Sequence, residues 1–214
     1  LHQSGNLKEA EDLLKKNLES FPRHLPSIFL LGTLSAQIKK YQTAKKLLQQ
    51  AIELKPDFTE GHNNLGNVFQ ELGEYQDAIS CYQSAIKSNS RYAEAHYNLG
   101  KVHTELGNNQ EAISCYQSAI KLDPNNSKAH NNLGNALLEL EKYHEATTSY
   151  KRAIKLNPKY AEAHYNLGTT LHELEEYHKA IAYYQNAIKF ESKNPKFYYN
   201  LALSEIELGN YSTA

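Results

Sequence analysis

Methionine and tryptophan are missing from the 214 residues, and cysteine occurs only twice, at Cys81 and Cys115. Without any methionine the chain lacks a start of its own, so it is expected to be a segment of a longer polypeptide. A surplus of positive charge is lacking as well: Lys and Arg total 23 against 24 Asp and Glu, a formal charge of −1. Holding nucleic acid by neutralising phosphates needs that surplus, so no nucleic-acid partner is expected, and no anionic membrane surface either. Long apolar runs are absent too. The longest apolar run, Ile28 to Leu31, falls far short of the roughly 20 residues that span a bilayer. The opening Leu-His-Gln-Ser has neither the basic nor the apolar region of a secretory signal, which places the expected setting in the reducing cytoplasm. What remains, 40% hydrophobic and 22% charged residues, is the composition of a folded protein.

What the sequence does have is self-similarity. Leu-Gly recurs at Leu31-Gly32, Leu65-Gly66, Leu99-Gly100, Leu133-Gly134 and Leu167-Gly168, 34 residues apart each time. Alanine repeats in the same register at Ala10, Ala44, Ala78, Ala112, Ala146, Ala180 and Ala214, and again at Ala51, Ala85, Ala119, Ala153 and Ala187. Three ladders with one period define units 25–58, 59–92, 93–126, 127–160 and 161–194, flanked by partial units 1–24 and 195–214. Within 59–92, Leu65, Val68, Phe69 and Leu72 recur at helical spacing, and Ala78, Ile79, Tyr82, Ala85 and Ile86 do so beyond Gly73-Glu74. Each unit therefore reads as two helices joined by a tight turn. Gly66 and Ala78 leave room where helices approach closely, and Pro56, Pro124 and Pro158 stop second helices. A lone hairpin buries part of its apolar surface and its neighbours bury the rest, so stability sums along a stack.

An aromatic, Leu-Gly, an aromatic, Ala, an aromatic and Pro at a period of 34 resembles the tetratricopeptide repeat. In unit 59–92 the pattern reads His62, Leu65-Gly66, Phe69, Ala78 and Tyr82, with Pro56 closing the unit before and Ser90 in place of its own Pro. The opening position holds His62, His96, His130 and His164 in four units, Ile28 in the first and Tyr198 in the last, and Ser192 also replaces a Pro. The resemblance implies an all-α, right-handed superhelical solenoid, a single array whose first helices line a concave face and whose second helices form the outside. Both ends would expose faces that a further repeat or a second copy could cover, so self-association through them is a possible partnership.

Counting each unit from its first residue, positions 2, 6, 9 and 13 share one face of the first helix. Position 6 is Asn64, Asn98, Asn132, Asn166 and Asn200, and only Leu30 breaks the row. An amide donates and accepts, so such a row can pair with the backbone of an extended ligand whatever its sequence. First helices about 10 Å apart and a strand advancing about 3.3 Å per residue bring each Asn to roughly every third ligand residue. Two bonds per Asn at about 1 kcal/mol each give a nominal ~10 kcal/mol before ordering costs. Asn63, Asn67, Asn131, Asn135 and Lys128 stand beside the row and complete the candidate peptide-binding set. The row also resembles that of the O-linked N-acetylglucosamine transferases, which implies recruitment of a protein substrate for a larger transferase. Two alternatives stand beside that reading: the Asn row caps or bridges neighbouring helices, and the chain is a free-standing scaffold.

Position 13 is Glu71, Glu105, Glu139, Glu173 and Glu207, and position 2 is Glu60, Glu94, Lys128, Glu162 and Lys196, so the groove is acidic on balance. Glu in the last turn of a helix opposes the macrodipole and asks for compensation. A salt bridge to a Lys such as Lys87 or Lys121 is the expected source; the alternative is selection of basic or hydroxyl-bearing ligands. The carboxylate clamp of co-chaperones is not expected, because its Lys positions hold Asn63, Tyr97, Asn131, Tyr165 and Tyr199, followed by the Asn row.

Catalytic chemistry has little foothold. One His per repeat at the aromatic position reads as packing, and His172-Glu173 with His178 lacks the spacing of a zinc-protease helix. Cys81 and Cys115 occupy one repeat position on adjacent outer helices, about 8 to 10 Å apart and beyond the reach of a disulfide. No phosphate loop, nucleophile elbow or cofactor motif interrupts the repeats, so this segment is expected to be no enzyme and to need no cofactor. Its expected partner is a protein or peptide in extended conformation.

Overall fold

The computed structural model describes residues 2–212, with side chains from 7 to 209; Ala214 of the alanine ladder lies outside the described residues. Twelve helices and no strand occur there. They are α1 (His2–Ser20), α2 (Leu25–Gln37), α3 (Tyr41–Leu54), α4 (Thr59–Glu71), α5 (Tyr75–Ser88), α6 (Ala93–Glu105), α7 (Asn109–Leu122), α8 (Ser127–Leu138), α9 (Tyr143–Leu156), α10 (Ala161–Glu173), α11 (Tyr177–Phe190) and α12 (Pro195–Ser212). Units 25–58, 59–92, 127–160 and 161–194 are thus each one helical hairpin, as the periodicity predicts. The chain divides into two compact units, residues 1–102 and 103–214.

In both units the hairpin turn has one construction. The first helix ends on a residue with positive φ: Lys39, Gly73, Gly107, Glu141 or Glu175. The next residue then donates its backbone N–H to a carbonyl five residues back, as from Glu74 to Phe69 at 2.9 Å and from Lys142 to Leu137 at 3.0 Å. This left-handed cap satisfies carbonyls that the helix end would leave orphaned. Glycine adopts it freely, and a non-glycine residue in that region costs about 1–2 kcal/mol. The corresponding residues of the partial units, Gly5 and Gly209, instead lie inside α1 and α12, which run straight through.

Within 1–102, α2 packs on α3 and α4 on α5, and the first helices α2 and α4 touch; within 103–214, α8 pairs with α9 and α10 with α11, and α8, α10 and α12 touch in turn. Small residues set the approach. Ala44, Ala78, Ala146 and Ala180 are fully buried, as are Ala51, Ala85, Ala153 and Ala187. Large residues fill the space they leave: Tyr82, Tyr150 and Tyr184 are buried on second helices, each ring lying where a side chain on Gly66, Gly134 or Gly168 would collide with it. Phe197 of α12 is buried against α10 and α11, its ring 4.9 Å from that of Tyr165.

Candidate ligand-binding face

The first-helix face carries the Asn row, and its amides form a hydrogen-bond network that ties repeats together. Asn64 Nδ2 donates to Thr33 Oγ1 at 3.1 Å and Asn98 Nδ2 to Asn63 Oδ1 at 3.0 Å. In the second unit, Asn166 Nδ2 donates to Asn131 Oδ1 at 3.2 Å and to Asn135 Oδ1 at 3.0 Å, and Asn200 Nδ2 to the Tyr165 hydroxyl at 2.8 Å. Each of these amides reaches back into the preceding repeat. Asn63 and Asn131 are fully buried, and each donates onward to a carboxylate of the following repeat, Glu94 and Glu162, at 3.3 Å. Bridging between neighbouring helices, the alternative raised for the row, is therefore present at Asn64, Asn98, Asn166 and Asn200. The expectation of two ligand bonds from every Asn needs correction. Both amide hydrogens of Asn166 are used within the fold, and Asn98 is 6% exposed.

A second set of anchors comes from the buried tyrosines. Tyr82 OH donates to Asn67 Oδ1 and Tyr150 OH to Asn135 Oδ1, both at 2.8 Å, while Tyr184 OH donates to Thr169 Oγ1 at 3.3 Å. Burial, with the nearby carboxylates of Glu162 and Glu139, pushes the Tyr150 hydroxyl up, and burial takes Tyr184 to about 12, so both remain donors at neutral pH. Asn67 and Asn135, expected to meet ligand, thus have their carbonyl oxygens already engaged. The repeat pattern marks Tyr82 only as one of its aromatics and says nothing of a hydroxyl bond. A signal was present: Asn63 and Asn131 alternate with Tyr97 and Tyr165, and Ala-Glu-Ala-His-Tyr-Asn-Leu-Gly occurs at both 93–100 and 161–168, a period of two repeats.

The recurring histidines also do more than pack. His62, His96, His130 and His164 donate from Nε2 to the carbonyls of Pro56, Ser90, Pro124 and Pro158 at 2.9, 3.2, 3.3 and 3.0 Å, and the hydroxyl of Tyr198 reaches Ser192 in the same way at 3.1 Å. Each holds the entry to its repeat. Burial, chiefly, holds His130 below its usual 6.5, with Arg152 adding to this and the Pro124 carbonyl opposing it. A base with a depressed folded pKa stabilises fully above the unfolded value and loses that contribution as pH falls. Thermal stability should therefore decline as pH drops below about 6.5. His130→Tyr, which installs the donor found at Tyr198, should flatten that decline in calorimetric scans across the range.

Glu71, Glu105, Glu139 and Glu173 are exposed at the ends of first helices. At Glu71 the compensation comes from a hydroxyl rather than from a Lys such as Lys87 or Lys121. Ion pairs among the described residues join Lys15 and Lys40 to Glu11, Lys45 to Glu74 and Lys179 to Glu176, whereas Glu71 accepts from the Tyr41 hydroxyl at 3.0 Å. Lys128 is exposed at the start of α8. Cys81 and Cys115 are free thiols that burial pushes up to about 12 and about 11, out of the range of reactive cysteines. His172 hydrogen-bonds through Nδ1 to Ser204 at 2.8 Å, and no group of three His, Cys, Asp or Glu among the described residues could hold a metal. No helix among them is long and apolar enough to cross a membrane.

Models described as TPR repeat match residues 34–73 and 134–175, and models described as tetratricopeptide repeat match 63–127, 115–148 and 161–194, together covering 34–194 without a gap. The chain belongs to the tetratricopeptide repeat family. No curated protein sequence matches it. Solved structures of similar fold include YrrB, described as a TPR protein with an unusual peptide-binding site, at 22% identity and a TM-score of 0.72 over 87% of this chain and 96% of YrrB. MamA of Desulfovibrio magneticus RS-1 is similar at 17% identity and a TM-score of 0.73, over 80% and 97% of the two chains. The Cut9-Hcn1 hetero-tetramer of APC/C aligns at 22% identity and a TM-score of 0.75 over 96% of this chain and 41% of that one. This tetratricopeptide repeat chain is thus an interaction module of non-catalytic fold.

Proposed function

We propose that the first-helix face binds extended protein segments through the Asn row. The observation that carries this reading is the anchoring of the row: Asn166 and Asn200 have their side-chain amide nitrogens fixed by the preceding repeat, while no hydrogen bond engages their Oδ1 atoms among the described residues. An acceptor held in place in this way receives a ligand backbone N–H with little ordering cost. One bond per Asn rather than two lowers the nominal gain to ~5 kcal/mol at about 1 kcal/mol each, which suits a weak, exchanging cargo. The peptide-binding site named for YrrB is in keeping with such a role. Likeness of the row to that of O-linked N-acetylglucosamine transferases extends the proposal to substrate recruitment for a larger transferase, with a free-standing scaffold as the second reading.

The test selects a ligand from a displayed library of unstructured peptides and measures its affinity for Asn132→Ala, Asn166→Ala and Asn200→Ala combined. Affinity should fall about tenfold or more, as for loss of an interface's central contacts, with helical content by circular dichroism unchanged. Unaltered affinity in a folded variant would mean that the row only braces the array.

A further inference from the structure

In residues 103–214 a cleft of about 540 Å³ opens on the first-helix face, lined by Thr104, Gly107, Asn135, Leu138, Glu139 and Asn166 among others. Most of its polar capacity is spent inside the fold. Asn135 Oδ1 accepts from both Tyr150 and Asn166, both amide hydrogens of Asn166 are used, and Thr104 Oγ1 shares a hydrogen bond with the Tyr116 hydroxyl at 3.0 Å. Glu139 is different. It is the C-terminal cap of α8 and is exposed, and its carboxylate takes no hydrogen bond or ion pair among the described residues. Its charge sits at the negative end of a helix dipole, where a cation is favoured by carboxylate and helix together. Leu138 beside it offers an aliphatic wall along which a long stem can lie.

A related cleft occurs 68 residues earlier in residues 1–102, lined by Ala36, Lys39, Tyr41, Asn67 and Glu71, with a decisive difference. Lys39 stands where the later cleft has Gly107, and the Tyr41 hydroxyl already donates to Glu71. The earlier cleft supplies its own cation and a hydroxyl bonded to its Glu; the later one has Gly107 and Asn109 at those positions, so it supplies no cation, and no hydrogen bond joins the Asn109 amide to Glu139 among the described residues.

We propose that the Glu139 cleft takes a lysine or arginine side chain of the bound segment, while the Glu71 cleft does not. The inference rests on peptide binding by this face and adds the class of ligand. Its test uses the complete chain and peptides selected from an unstructured displayed library, followed by fluorescence anisotropy. Selected peptides should carry Lys or Arg; Glu139→Gln should weaken them about fivefold, the scale of a partly exposed ion pair, and Glu71→Gln should not. Replacing the peptide's basic residue by Gln should match the Glu139→Gln loss without adding to it, and Glu139→Lys should shift selection to acidic peptides. Peptides that depend on the Asn row but ignore Glu139 would overturn the cleft assignment and leave peptide binding intact. Selection of no peptide at all would overturn both. Because Glu139 opposes its helix dipole, neither Glu139→Gln nor Glu139→Lys should cost stability, which calorimetric unfolding of the variants checks.

Discussion

Gly134→Leu should unfold the hairpin of α8 and α9 under conditions where the parent chain is stable, with a loss of about 3 kcal/mol or more. A Cβ at Gly134 would lie 2.5 Å from Cε1 of Tyr150 and 2.7 Å from its Cδ1 and Cζ. The ring has nowhere to go: it is fully buried, and its hydroxyl is tied to Asn135. The helices must therefore separate, which exposes apolar surface and breaks a buried hydrogen bond in one step. Gly107→Ala is the control, since nothing lies within 4 Å of a Cβ there and only its positive φ of 75° is at stake. That change should cost about 1–2 kcal/mol. Urea unfolding followed by circular dichroism separates the two, and a Gly134→Leu curve overlaying that of Gly107→Ala would refute close helix approach as the reason for glycine.

Asn131→Leu comes next in size, at about 2 kcal/mol. The side chain is fully buried and shares leucine's branching at Cγ, so the leucine must fit a site shaped for a smaller amide while three hydrogen bonds are lost: one accepted from Asn166 at 3.2 Å and two donated, to Glu162 at 3.3 Å and to Asn132 at 3.4 Å. The damage comes from partners left unsatisfied rather than from the bonds as such. Asn131→Leu combined with Asn166→Leu should therefore be more stable than the two single losses predict, with a coupling of about 1 kcal/mol. Purely additive losses in the double-mutant cycle would show that the two amides act independently. Ligand affinity gives a second measure, because freeing the Asn166 amide removes its preset orientation.

The two substitutions probe parts of the molecule that differ in how readable they were. Gly134 and Tyr150 recur with the repeat, and their small-against-large pairing follows from helical spacing alone. The Asn row was equally visible as a row, yet its side chains divide their hydrogen bonds between the fold and the open face, and nothing in a single repeat reveals that division. Asn98 and Asn166, two repeats apart, both donate to a buried Asn of the preceding repeat, whereas Asn200, one repeat on, meets the Tyr165 hydroxyl, because the residue that each reaches alternates between Asn and Tyr. The histidines were read as packing for a similar reason, since the carbonyl each one meets belongs to the turn before its own repeat.

The sequence by itself determined the period, the two helices of each unit, the residues that keep helices close, and membership of an all-α repeat family, because each depends on contacts within about one repeat length. Tertiary structure alone decided which amide nitrogens are spent between repeats and which Glu carboxylate is left uncompensated at a cleft. Those outcomes depend on groups 30 or more residues apart in the chain, such as Asn166 with Asn131 or Tyr41 with Glu71, and a donor's choice among several nearby acceptors is settled only when the helices have packed.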